Sequence, residues 1–439
     1  MRKTLLSFCL LCFGLISINA QDYYLEDFEG NQPSDWTFEN LWNWGLSAQL
    51  GSQFFPLDGN GTFFAAVNDD AAGQGVDANG RLISPEIDLT MVSGALALEF
   101  DAYFLNGDYQ GADETAKVFV SEDGGMNWVE VANLPGGGVW NKGRALLSDY
   151  AGKTIQLAFE YNDGGGWNYG FGVDNVRIYG LLDRDMELNA LATNHPGGFV
   201  GMQVNAQLQV TNAGAEVINE IEFEFSDGTA FTASDLEVGT FESIIVEVPF
   251  ALESEGTITL SAEALTLNGS ADDDLDNNTS DEVELLVVTP NPDRGVLIEE
   301  ATGTWCTWCP RGHVFMERMT ERYPDHFVGI AVHNADPMEN PAYDAGLTGW
   351  SGFSGFPSVL FDRDNIRSLS LLNLERDFLQ QVQDAPPVTL EIGADYNDAT
   401  RELVTAIGGN FTEDLGAGYR VVGVLVENGV TGTGSGYAQ

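Results

Sequence analysis

Cysteine is scarce in this 439-residue chain, with four in all. Cys9 and Cys12 lie in a leader-like amino terminus, so the body of the chain holds one pair, Cys306 and Cys309. That excludes a small scaffold stapled by many bridges. Histidine is equally rare, at four residues. A structural zinc site needs four ligands, and only His313 stands near the cysteines in sequence, which leaves a partial Cys2His set. Cations are the third shortage, with 18 Lys and Arg against 67 Asp and Glu and a formal charge of −49. Such a surface repels phosphate backbones, which excludes nucleic acid as a partner. It attracts divalent cations or cationic partners, and it also suits plain solubility in a salty exterior.

Long apolar runs are missing too, apart from Leu5 to Ile18 behind the basic Met1-Arg-Lys3. That run is shorter than the roughly 20 residues that span a bilayer. With the small residue Ala20 before Gln21, residues 1–20 read as a secretory signal peptide. The expected mature chain has no transmembrane span and is secreted or held at the cell's outer-membrane surface. Losing Arg2 and Lys3 would leave 16 cationic residues against 67 acidic ones.

What is abundant is glycine, at 51 residues, together with Asn/Asp turn punctuation. Length and pattern predict a multidomain, mostly β protein. Residues 21–180 alternate with period two in Leu96–Phe104, Lys117–Val120 and Ile155–Tyr161, the pattern of half-buried antiparallel strands in a sandwich. Residues 181–289 repeat it in Met202–Val210, Glu220–Phe225 and Ile244–Val248. About seven short strands in that span predict an immunoglobulin-like sandwich acting as a spacer.

Thr289-Pro-Asn-Pro292 is a stiff linker. Beyond it the pattern becomes strand, helix, strand, insert, strand and helix: Val296–Ile298, a helix over Arg311–Tyr323, Phe327–His333, Gly355–Phe361 and a helix near Leu371–Val382. This order suits a small sheet flanked by helices over residues 290–384. Residues 385–439 return to strands, including Tyr419–Val426, and read as an incomplete β-rich tail of a truncated sequence.

The chemistry centres on Thr302-Gly-Thr-Trp-Cys306-Thr-Trp-Cys309-Pro310. A helix amino terminus stabilises a thiolate, so Cys306 is the expected nucleophile and Cys309 the resolving thiol. A structural disulfide is the rival reading in a secreted chain. Glu300 precedes the pair on or just after its strand, and Pro357 follows in Gly-Phe-Pro-Ser.

This constellation resembles the thioredoxin-like fold, in which a buried acid, here Glu300, accepts the resolving cysteine's proton. In that fold a cis-proline, here Pro357, presents the preceding backbone, here Phe356, to an extended substrate; an ordinary trans loop proline is the alternative. Val-Leu-Ile-Glu-Glu-Ala-Thr-Gly-Thr-Trp-Cys-x-x-Cys-Pro, Ala331-Val-His333-Asn-Ala-Asp336-Pro and the Gly-Phe-Pro-Ser strand together resemble the 28-kDa outer-membrane-protein-related family. The resemblance implies thiol–disulfide exchange on extracytoplasmic protein thiols or disulfides, with Cys306, Cys309, Glu300 and Pro357 catalytic and Trp305, Trp308 and Phe356 binding substrate.

The first unit carries a resemblance of its own. Tyr24-Leu-Glu-Asp-Phe28-Glu-Gly30, Ser121-Glu-Asp-Gly-Gly-Met-Asn-Trp128 and Phe171-Gly-Val-Asp174-Asn175-Val-Arg-Ile178 look like a choice-of-anchor J jelly-roll, related to cleaved-adhesin and MAM-like domains. This implies an extracellular protein- or glycan-binding module without catalysis, and export through the type IX secretion system with a sorting domain further along the chain. Asp27, Glu29, Asp69 and Asp174 are candidate ligands of a structural Ca²⁺, the one cofactor expected, and solvated turn residues otherwise. The second unit resembles the cell-adhesion-related bacterial domain. Exchange enzyme and non-catalytic adhesion protein both remain open on the sequence.

Overall fold

The computed structural model describes residues 20–57, 61–416 and 420–430. The leader, residues 1–19 of the expected signal peptide, lies outside the described residues, as does the end of the tail from 431.

Period-two alternation in the first unit folds into two six-stranded sheets. One runs Trp140–Leu146, Leu96–Phe104, Gly170–Gly180, Phe64–Asn68 and Asn43–Gly45, with Asp22–Glu26 added on Gly170–Gly180. The other runs Val129–Asn133, Thr115–Ser121, Thr154–Asn162, Gly80–Ile83 and Thr37–Phe38, with Ile87–Asp88 on Thr154–Asn162. Their facing side chains make one core, in which Phe100 and Phe159 meet edge to face at 4.9 Å. In the Ser121–Trp128 hairpin, Asp123 accepts the Asn127 N–H at 2.8 Å. Bonds from Asn127 and Ser121 hold its carboxyl below the usual range, so this acid serves the turn.

The second unit has nine strands in three short sheets around a separate core of Phe223, Phe225, Val246 and Phe250. It does more than space its neighbours apart. Phe199, at the end of Gly197–Phe199, reaches 4.8 Å from Tyr323 of the third unit, and Met202, Leu286 and Val288 join the same core. Beside them His195 Nδ1 lies 2.9 Å from the buried Glu375, which also accepts from Arg318 at 3.0 Å and Tyr323 at 2.9 Å. Side chains from before position 290 thus pack against the third unit's core as well as their own.

The third unit is a four-stranded sheet in the order Phe327–His333, Val296–Thr302, Ser358–Phe361, Asn365–Ser368. The first two strands are parallel and the other pairings antiparallel. The strand–helix–strand crossover with the helix Pro310–Arg322 explains the parallel pair. Buried Phe315 and Met319 from that helix and Leu374 and Phe378 from Leu371–Gln381 cover one side of the sheet. The insert forms the helix Pro341–Thr348, capped by Asn340 accepting the Tyr343 N–H.

The tail differs from expectation. Val388–Asn397 and Glu402–Phe411 form a two-stranded hairpin, whereas the described residues 420–426 of the expected strand Tyr419–Val426 form none. One hairpin face is apolar, with Ile392 opposite Ile407 and Tyr396 opposite Leu403, and it is exposed.

Candidate functional site

The strand Val296–Thr302 ends in the loop that carries the cysteines, and the helix Pro310–Arg322 begins directly after them. Cys309 is the residue before the first helical turn and Pro310 occupies that turn, where a missing N–H costs nothing. Cys306 sits one step earlier, its N–H bonded to Gly303 O at 2.9 Å. The two sulfurs form a disulfide across a Cα separation of 5.4 Å. Cys306 is 7% exposed and Cys309 1%, so the first sulfur is the one a thiol reaches first. The rings of Trp305 and Trp308 stand open beside it.

Beneath the helix lies Glu300, 2% exposed. A Cβ at Gly312 would fall 1.8 Å from Glu300 Oε1, so only glycine lets the helix close over the acid. Oε1 has no hydrogen-bond partner among the described residues. Burial pushes this carboxyl up to about 8, against a small opposing pull from Thr302. Glu300 is thus a buried acid whose protonated form is favoured, packed under Gly312, which follows Cys309 by three residues.

The Phe356–Pro357 bond is cis, one of the two alternatives open on the sequence. Phe356 meets Trp305 edge to face at 5.2 Å and Phe353 at 5.3 Å. Trp305 and Phe356, two expected substrate contacts, are therefore brought together; Trp308 stands apart, more exposed.

Two residues the sequence did not single out also border the site. Glu299, facing the other side of the sheet, is 1% exposed and paired to Arg363 at 2.8 Å and to the Tyr343 hydroxyl. Asp336 accepts the Thr304 N–H at 3.0 Å and lies 2.7 Å from His333 Nδ1. Burial works to raise its carboxyl, and the bonds from His333, Thr304 and Met338 outweigh it and hold Asp336 below the usual range. The signals were present: adjacent acids in a strand face opposite sides, and His333 ends the neighbouring strand.

Among the described residues the four calcium candidates have separate partners. Glu29 accepts the Phe63 N–H at 2.9 Å, while Thr62 lies 3.3 Å from the buried Asp174. Asp27 is exposed and accepts the Glu29 N–H. Asp69 sits elsewhere, at the end of Phe64–Asn68, bonded to the Asn168 N–H and near Asp163 and Glu114. Burial and those neighbours push it up to about 6. Among the described residues, no three His, Cys, Asp or Glu side chains gather as a metal set. His313 is exposed and the cysteines are bonded to each other, so the partial Cys2His set is not formed either.

No family model matches the chain, and no curated protein does. Among solved structures it is similar to a CARDB domain from Pyrococcus furiosus bound to two metal ions, at 16% identity and a TM-score of 0.20, over 25% of this chain and 91% of that one. It is also similar to the K3 cleaved adhesin domain of Lys-gingipain from Porphyromonas gingivalis, at 17% and 0.24, over 36% and 99%. A xylan-binding CBM22 domain from Paenibacillus barcinonensis gives 16% and 0.25, over 36% and 94%. Likeness of this degree carries no argument about function. The chain is a mostly β, multi-sandwich protein.

Proposed function

We propose that this protein is an extracytoplasmic surface protein in which two adhesin-like β-sandwiches present a thioredoxin-like unit that exchanges disulfides with protein thiols. The observation carrying the exchange reading is Glu300. A carboxyl buried under Gly312 whose Oε1 has no hydrogen-bond partner among the described residues, in contact with the first turn that follows Cys309, is a costly arrangement for a static disulfide. It is a useful one for a pair that must gain and lose protons.

In the reaction a partner thiolate attacks Cys306 Sγ, the Cys306–Cys309 bond breaks, and Cys309 leaves as a thiolate. Glu300 in its protonated form can hand that thiolate a proton, through a water where it does not reach the sulfur directly. A second partner thiol then releases Cys306 and leaves the partner as a disulfide. Trp305 and Phe356 provide an apolar rest for the partner chain beside the sulfur.

The second reading is a non-catalytic adhesion or glycan-binding protein with a structural disulfide. The observation favouring it is the closed Cys306–Cys309 disulfide, whose two cysteines are almost wholly buried. Equilibrating the folded protein against glutathione or dithiothreitol and counting free thiols separates the two. A midpoint between roughly −120 and −270 mV, abolished in Cys306→Ser, supports exchange. A pair that stays oxidised in strong reductant sinks it and leaves the adhesion reading.

A further inference from the structure

The loop before Cys306 rests on the segment His333–Asp336 through three hydrogen bonds. Asn334 N–H donates to Thr302 O at 3.0 Å, Thr304 N–H donates to Asp336 Oδ2 at 3.0 Å, and Trp305 Nε1–H donates to Asn334 O at 2.7 Å. Asp336 is the one carboxylate in this set, and its side chain is 2% exposed. Its Oδ1 closes a local turn by accepting the Met338 N–H at 2.8 Å. That turn would form with no second oxygen. Oδ2, shared between Thr304 and His333, is the atom aimed at the dithiol loop.

We propose that Asp336 is a positioning residue that fixes the loop carrying Cys306 and thereby sets the balance between disulfide and dithiol. This rests on the exchange reading above. The physical basis is effective concentration. Two thiols held by a rigid frame close their bond at less entropic cost than two on a loose loop, so each tether removed favours the open dithiol. Asn334 itself is held by Asp344, whose Oδ2 accepts the Asn334 Nδ2–H at 2.9 Å, so the rest is anchored to the helix Pro341–Thr348. Ala335, between the two tethering residues, adopts φ 50°.

The test is the midpoint against dithiothreitol for wild type, Asp336→Ala and Asp336→Asn. In that equilibrium two electrons and two protons pass to Cys306 and Cys309 while dithiothreitol closes its own ring disulfide. Asp336→Ala is expected to shift the equilibrium about tenfold toward the dithiol, or about 30 mV less negative. Asp336→Asn keeps an amide oxygen for Thr304 and is expected to shift it by less than half as much. Trp305→Phe, which removes a separate tether, should move it in the same direction and serves as the readout if Asp336→Ala does not fold. Unchanged midpoints in folded variants overturn the inference and leave the exchange reading standing. Equal shifts in Ala and Asn overturn it too, because they assign the effect to charge rather than position. A wild-type pair that no buffer reduces overturns both.

Discussion

The two sides of the strand Val296–Thr302 each bury one carboxylate and treat it in opposite ways. Glu299 faces Arg363 and Tyr343 and has its charge answered by a guanidinium and a hydroxyl. Glu300, one residue on, faces a helix that has made room for it at Gly312 and offers Oε1 no partner. Burial alone is common to both, at 1% and 2% exposure. What differs is the partner: a guanidinium answers Glu299, whereas Glu300 has a bond from Thr302 and no cation among the described residues, so burial prevails and favours its protonated form. The side with the cysteines is the side without a cation.

Substituting each acid in turn tests this contrast. The sign of the Glu300 effect follows from its raised value. The protonated form is favoured in the folded state, so its stabilising contribution is complete below the unfolded value of 4.5 and is lost as pH rises through about 8. Glu300→Gln is expected to flatten that fall, which has a limiting slope of about 1.4 kcal/mol per pH unit, and to stabilise the oxidised protein at pH 9. Glu299→Gln is expected to destabilise at the same pH. Denaturant midpoints across pH 4 to 9 check both, and two variants with the same sign would end the contrast.

Gly312→Ala comes next. In an unobstructed helix it would stabilise by about 1 kcal/mol. Here the new Cβ must displace Glu300, and a loss of about 1–3 kcal/mol is expected in urea unfolding. The double variant with Glu300→Ala should recover most of it. Arg363→Ala, which leaves Glu299 with Tyr343 alone, should cost about 1–2 kcal/mol, discounted because the Arg363 side chain is 40% exposed. Tyr343→Phe, removing one hydroxyl from the same group, should cost about 1 kcal/mol, and no measurable loss would mean that Arg363 alone answers Glu299.

Much of this site was legible in the sequence because its signals are local. The helix expected over Arg311–Tyr323 is observed as Pro310–Arg322, and Phe327–His333 is a strand at both ends as expected. Apolar periodicity over a dozen residues reports such elements without knowledge of their neighbours. The strand after Val296 runs on to Thr302, past the expected Ile298, because pairing with Phe327–His333 continues across the polar pair Glu299–Glu300. Alternation over 420–426 was misleading for the converse reason: a strand exists only through pairing, and alternation by itself does not supply it.

The four calcium candidates show the same division. Asp27, Glu29, Asp69 and Asp174 were grouped by residue type and by resemblance, and antiparallel register decides their actual neighbours. It sets Asp174 opposite Asp101 and pairs Asn68, the residue before Asp69, with Gly170. Asp69 thereby joins Glu114 and Asp163, residues the sequence did not connect with it.

The Cys-x-x-Cys pair and its place between a strand and a helix follow from sequence patterns a few residues long, whereas the burial of Glu300 was implied only by a resemblance and that of Glu299 was not expected. Packing between distant segments set Glu299 against Arg363, left Glu300 Oε1 without a partner among the described residues, made Gly312 the opening over Glu300, and brought Asp336 to the Thr304 N–H. Those contacts join residues from 12 to 64 positions apart, a separation over which side-chain periodicity carries no information and packing alone chooses the partner.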